Sequence, residues 1–166
     1  VVHADSRVFL QTTDARYDVI VADAYTSQLT IPPHLVTREF FDLVRTRLTP
    51  GGVLVANVNA PTRDSVLLQI IEQTIAEVFP HVVVGKAGEA WNYLILASDQ
   101  PIHDRLPVLR ELQLPESAMT EIQRFLETTE PVTANTVRRH FTDDWAPLEL
   151  FTDLEIFEAI RQLSRS

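Results

Sequence analysis

Continuous apolar runs and four-residue apolar stripes take turns along the chain from Val1 to Ser98. Val19, Ile20 and Val21 follow a turn-like stretch, Thr12–Arg16, and predict a strand over Asp18–Ala22. A run apolar at every position predicts burial on both faces, as in a parallel sheet covered by helices. Pro32-Pro33 then forces an extended approach, and Thr37 stands where a helix N-cap belongs. Phe40, Val44 and Leu48 recur every four residues, with Phe41 and Leu43 widening the stripe, which predicts an amphipathic helix laid on a sheet. It stops at Thr49-Pro50-Gly51-Gly52, and Val53–Asn59 reads as the next buried strand. This helix–turn–strand unit is the signature of a βαβ crossover. A second helix, Ser65–Phe79, is expected to be capped by Thr62 or Asp64. It would bury Leu67, Ile71, Ile75 and Val78, with Leu68 and Phe79 alongside. Pro80 ends it. Two strands follow, His81–Val84 and Trp91–Ala97, and their Gly-bearing connection, Gly85–Ala90, predicts an antiparallel hairpin. Trp91 and Tyr93, two apart, are expected on one face, in core or rim packing rather than stacked on a ligand.

The flanks are less regular. Val1–Ala4 reads as the end of a strand, and Ser6–Gln11 as a short helix beginning after Asp5. From Asp99 onward prolines punctuate short helical pieces: Asp104–Leu112, Glu116–Glu127 and Ala134–His140. Asp153–Leu163 reads as a terminal helix with Ile156, Phe157 and Ile160 inward. The expected organisation is an α/β portion, residues 1–98, and an irregular helical tail, residues 99–166, packed on the same domain.

Four acidic residues in three places carry candidate chemistry. Asp23 ends the first apolar strand, and in open α/β sheets the ligand crevice lies outside the carboxyl ends of the strands. A carboxylate there either accepts backbone N–H groups in a turn or meets a ligand. Asp5 either caps the short helix or faces a ligand. Asp143-Asp144, ahead of Pro147, are either turn formers or a source of negative charge. Asn57 and Asn59 close their strand and read as loop-forming residues or, alternatively, as substrate contacts.

The chain has 166 residues and a net charge of −9. That charge argues against a nucleic-acid partner, which would need a basic face to neutralise phosphates; most of it reads as a solvated acidic surface, which could also steer a cation. There are no cysteines, which excludes thiol nucleophiles, disulfides and Cys-based metal sites. No histidine spacing points to a metal site or a Ser/His/Asp triad. No apolar run approaches the ~20 residues of a membrane span. The sequence opens in mid-pattern and lacks a glycine-rich phosphate or nucleoside loop. It is therefore expected to be the later part of a longer protein and not to turn over substrate by itself.

YDVIVADAY, then IPPHLVTREFFDLVRTRLTPGGVLVANV, and later TDDWAPLE, together resemble the second half of the spermidine synthase (polyamine aminopropyltransferase) family. The DAY form is most similar to bacterial spermidine synthase-like proteins, some of which are fused to membrane segments. The resemblance implies a partial Rossmann-like, S-adenosylmethionine-dependent methyltransferase fold: parallel strands ending in an antiparallel hairpin, plus a helical C-terminal tail. It implies transfer of an aminopropyl group from decarboxylated S-adenosylmethionine to a polyamine, without a metal. Asp23 would be catalytic. Asp5 and Ser6 would contact the nucleoside, and Tyr25, Thr26, Gln28, Asp143 and Asp144 would line the amine site. It further implies a cytoplasmic location, or the cytoplasmic face of a membrane if the parent is a fused form, and allows a homodimer. The chain departs from the family pattern at Thr26, where the synthases carry a second Asp, and at Gln28, where fused-type relatives carry one. Neither supplies negative charge. Two alternatives stay open: a methyltransferase-fold enzyme that uses S-adenosylmethionine on another acceptor, and a non-catalytic binding domain.

Overall fold

The computed structural model describes residues 3–23, 31–88, 91–135 and 139–163. Its elements run α1 (Ser6–Thr12), β1 (Tyr17–Ala22), α2 (Arg38–Arg47), β2 (Leu48–Asn59), α3 (Val66–Ala76), β3 (His81–Ala87), β4 (Asn92–Ser98), α4 (Glu116–Thr128), β5 (Glu130–Val132) and α5 (Leu148–Leu163), with 3₁₀ turns at Pro33–Leu35 and His103–Glu111. Among the described residues the strands form one sheet in the order β1-β2-β4-β3-β5. β1 and β2 are parallel, joined through α2, and β4 inserts antiparallel between β2 and β3.

The crossover follows from its sequence. Thr37 caps α2, its Oγ1 accepting the Phe40 N–H at 3.3 Å. Phe40, Phe41 and Val44 turn inward against Leu54, Ala56 and Val58 of β2, with Ile71 and Ile75 of α3. The Thr49–Gly52 stretch is part of β2 rather than a loop: the register jumps between Tyr17↔Leu48 and Val19↔Val53, and Gly51 takes φ 78° to absorb it. On the far side of the hairpin, Phe125 of α4 packs with Val83, Ile102 and Leu106. This is why Gly85 belongs to β3 and not to the hairpin connection. A Cβ there would lie 2.7 Å from the Phe125 ring, so only glycine lets α4 settle on the strand.

Other expectations are corrected by packing. β1 is not buried on both faces. Among the described residues it is an edge strand, and Val19 and Val21 are 54% and 65% exposed, since no described helix covers that side. His3 and Ala4 are not in a strand, and Val1 and Val2 lie outside the described residues. Asn57 and Asn59 are strand residues of β2. Trp91 precedes β4 and is 40% exposed, at the rim, while Tyr93 is buried in the core. His103–Glu111 is a 3₁₀ stretch with Pro107 inside it, rather than an α-helix.

Neither Thr62 nor Asp64 caps α3. The N-cap is Ser65, and its hydroxyl is turned back to accept the Thr62 N–H at 3.2 Å. The free Leu67 N–H is met instead from α5, by Glu155 Oε1 at 3.0 Å. α3 also buries the polar residues Glu72, Gln73 and Thr74. Gln73 and Thr74 anchor the tail, while Glu72 holds the segment ahead of α3. Glu72 pairs with Arg63 at 2.9 Å, Gln73 bonds Thr133 and Asn135, and Thr74 Oγ1 accepts the Phe141 N–H at 2.9 Å. Within the expected helix Ala134–His140, residues Ala134, Asn135, Arg139 and His140 are not helical, and 136–138 lie outside the described residues. α5 starts earlier than expected, and its phase is set by Phe151, Thr152 and Glu155 facing inward. Phe157 and Ile160 are 69% and 60% exposed, on the side opposite to the one anticipated.

Candidate functional site

Where β1 and β2 end side by side, their carboxyl ends open onto a cavity of about 160 Å³. Its floor is apolar, with Leu10, Ile31, Leu35, Phe40, Phe41 and Ile71 on its walls. Polar groups stand at the edge: Ser6 from α1, Asp23 immediately after β1, and Asn57 from β2. Asp23 is exposed, and Asn57 Nδ2 donates to its Oδ1 at 3.0 Å. The parallel register, Val21↔Val55 and Ala22↔Ala56, puts Asn57 beside Asp23, so the neighbouring strand fixes the carboxylate. Sequence reasoning names Asn57 but not this job. The parallel pairing that carries it spans residues far apart in the chain.

Asp5 caps α1, accepting the N–H groups of Arg7 at 3.0 Å and Val8 at 3.1 Å. Its other oxygen meets His34 Nε2 at 2.8 Å. The Val8 N–H and then His34 hold the Asp5 carboxyl below its ordinary value. The capping geometry is therefore present, and one oxygen is committed to the helix end while the other is committed to His34. Ser6, its neighbour, faces the cavity.

Asp143 does not line that cavity. It sits in the tight Thr142–Trp145 turn, closed by Thr142 N–H to Trp145 O at 3.1 Å and the reverse bond at 3.0 Å. Its carboxylate receives both terminal nitrogens of Arg7, at 2.7 and 2.5 Å, and the Thr37 hydroxyl at 2.7 Å. Its own N–H donates to Glu39 at 2.9 Å. One tail residue thus ties the cavity-side helix α1 to the start of α2, and Arg7 and Thr37 are the partners that sequence patterns do not reveal. Asp144 is exposed at the tip of the same turn. Tyr25, Thr26 and Gln28 lie outside the described residues.

The Arg7 guanidinium, with help from Thr37, holds the Asp143 carboxyl below its ordinary value of 3.8, and Asp143 in turn raises Arg7. A depressed carboxyl stabilises the fold above its unfolded value, and the contribution disappears as pH falls through the folded value. Asp143→Asn is expected to lower stability at neutral pH by about 1 kcal/mol or less, since the pair is partly exposed and screened. Below the carboxylate range the two proteins should converge. Urea unfolding midpoints measured at neutral pH and at acid pH check this.

Among the described residues no group of three or more His, Cys, Asp or Glu side chains is placed to hold a metal ion. Among them, too, no helix is long and apolar enough to cross a membrane.

The sheet order, with an antiparallel last strand inserted beside a parallel pair, defines the S-adenosylmethionine-dependent methyltransferase class of folds. Solved structures agree. A spermidine synthase in complex with the transition state analogue AdoDATO superimposes over 75% of this chain and 46% of its own, with a TM-score of 0.57 and 22% identity. Human methyltransferase-like protein 13 in complex with SAH covers 75% of this chain and 55% of its own, with a TM-score of 0.50 and 25% identity. Within that class, the family model for the spermine/spermidine synthase domain matches residues 1–100, and the chain belongs to that family. A probable polyamine aminopropyl transferase of Bifidobacterium longum is 31% identical over an alignment covering 88% of this chain and 36% of that protein. The Bacillus anthracis polyamine aminopropyltransferase 2 is 26% identical over 68% of this chain and 33% of its own length. The chain thus spans about a third of the length of these curated relatives.

Proposed function

We propose that this chain forms the acceptor-side part of a polyamine aminopropyltransferase, with Asp23 as the group that receives the attacking amine. The observation that carries the reading is the position of Asp23: exposed, at the tip of a parallel strand, held by Asn57, on the rim of an apolar cavity that Ser6 also edges. A polyamine nitrogen is protonated at neutral pH and has no lone pair to attack with. A carboxylate at the strand tip can accept that proton or hold and orient the amine. The nitrogen then attacks the methylene beside the sulfonium of decarboxylated S-adenosylmethionine. The new C–N bond forms as the C–S bond breaks, and the sulfur leaves as a neutral thioether on the nucleoside. The sulfonium is a good leaving group, so positioning rather than covalent catalysis carries the step. On this reading Asp5 and Ser6 are assigned to the nucleoside, and Tyr25, Thr26 and Gln28 to the amine. Asp143, bound by Arg7, serves as a tie between α1 and α2 rather than as an amine ligand. On the same reading the protein works in the cytoplasm, or at the cytoplasmic face of a membrane, on a small polyamine, alone or as a homodimer.

A second reading rests on Thr26 and Gln28: without a charged partner in that loop, ordinary S-adenosylmethionine and a neutral acceptor would suit the site. Calorimetry on the full-length protein separates the two. Tighter binding of decarboxylated S-adenosylmethionine is the expected result. Preference for the ordinary form would favour the methyltransferase reading, and binding of neither would favour a non-catalytic domain.

A further inference from the structure

The tail helix α5 closes a small pocket against the end of β2 and the start of α3, with a volume of about 10 Å³. That is room for one water-sized group and not for an ion with its hydration shell. Asn59, Thr152 and Glu155 supply its polar lining, beside the part-exposed Trp91 and Ile156. It shares no lining residue with the cavity that Asp23 edges.

Glu155 is 5% exposed, and its two carboxylate oxygens are used differently. Oε1 accepts the Leu67 N–H at 3.0 Å and so closes the first turn of α3. Oε2 is buried and has no hydrogen-bond partner among the described residues. The cap needs one oxygen and no charge, so a glutamine would cap α3 as well. A carboxylate in this place has a charge left to compensate. The amino end of α3 offers roughly half a positive charge, on the Oε1 side. No Arg, Lys or His is among the described residues that line the pocket. Buried charges are paired or coordinate metal ions. A water would give Oε2 a hydrogen bond and leave the charge in place, whereas a cation of the same size meets both needs.

The lining narrows the kind of cation. Its polar side chains carry hard oxygens: one carboxylate, one amide and one hydroxyl. Ca²⁺ takes about six to eight oxygens and Mg²⁺ keeps several waters, so neither suits a water-sized space with a single negative charge. We infer that the pocket binds one dehydrated alkali cation, Na⁺ or K⁺, held by Glu155 and joining α5 to the ends of β2 and α3. The ion takes no part in the transfer proposed at Asp23. Its work is to fasten the tail helix, which lies outside the residues 1–100 matched by the family model, to the sheet.

Thermal unfolding of the full-length protein in sodium, potassium and choline chloride, at one ionic strength, tests this. Choline is too large for the pocket. The midpoint should stand higher in sodium or potassium than in choline. As the preferred ion replaces choline, it should climb by about 2 °C or more for each tenfold rise of that ion. Glu155→Gln keeps an oxygen for the Leu67 N–H, so the variant should fold, and its midpoint should be the same in all three salts. The same native midpoint in all three salts would mean that the pocket holds water alone, and the inference is overturned. An ion dependence that survives in Glu155→Gln is a general salt effect and overturns it too. The native protein decides without the variant as well: a midpoint that moves in proportion to the ion concentration, rather than to its logarithm, speaks against a site.

Discussion

Asp23→Asn is expected to slow aminopropyl transfer in the full-length protein by about 10² to 10⁴-fold, the usual worth of a positioned general base. Nucleoside affinity should stay within about twofold, a few tenths of a kcal/mol, since one carboxylate oxygen at the acceptor rim is exchanged for an amide nitrogen. The substitution is mild by design. An asparagine keeps an oxygen that can accept from Asn57, so the 3.0 Å contact that fixes the side chain survives. Asp23 is exposed, so its change leaves no buried group unsatisfied and should move stability by no more than about 0.5 kcal/mol. What is lost is negative charge and proton affinity at the strand tip. Single-turnover transfer, measured with the nucleoside saturating, reads that loss directly. A deficit in the Asp23→Asn variant that shrinks as pH rises, and the amine deprotonates unaided, would identify proton acceptance as the role. An unchanged transfer rate at neutral pH would remove Asp23 from the mechanism, while unchanged rate with weakened nucleoside binding would move it to the other half of the site.

How much of this is legible in the sequence depends on which forces set each element. The crossover from β1 to β2 can be read nearly in full, because its signals are local: β-branched runs, a threonine cap, a four-residue stripe and a glycine-bearing stop. The hairpin is legible for the same reason, yet Gly85 is not. Glycine in sequence suggests a turn, and only the approach of Phe125 from α4 explains it as a strand residue. The apolar run of β1 overstates its burial, because such a run reports what a residue would tolerate, not whether a helix or strand covers it. The phase of α5 is hidden as well: its apolar residues lie on both sides, and contacts with Phe141 and Trp145 choose the inner one. At the site, the sequence can nominate single acids but not their partners. Asp23 with Asn57, Asp143 with Arg7, and Glu155 with Leu67 are joined across 34, 136 and 88 positions of chain. No periodicity links residues at such separations; only sheet register and tail docking do.

Tail docking leads to the largest stability effect expected here. Phe141→Ala should destabilise the protein by about 3–5 kcal/mol, the range for deleting a fully buried aromatic ring. Phe141 is 0% exposed although it lies in an irregular stretch. Its ring packs on Trp145 and Phe151, each at a centroid distance of 5.8 Å. Its backbone is used as well: the N–H goes to Thr74 of α3, and the carbonyl accepts the Arg38 N–H of α2 at 2.9 Å. The residue therefore bolts the tail to both crossover helices, and it belongs to the same core cluster as Leu54, Phe41 and Ile75. Truncating it leaves a cavity at a junction of three elements, which backbone anchored on both sides cannot collapse to fill. Phe157→Ala is the matched control, the same chemical change at a position 69% exposed, and should cost no more than about 0.5 kcal/mol. Urea unfolding followed by tryptophan fluorescence and by far-ultraviolet circular dichroism distinguishes two arrangements. Coincident transitions, shifted together by Phe141→Ala, mean that the tail and the sheet fold as one cooperative unit. Early loss of the fluorescence transition alone, with the sheet signal unmoved, would mean that the tail is a separable cover, and the tie from Asp143 to α1 would then be too weak to shape the cavity.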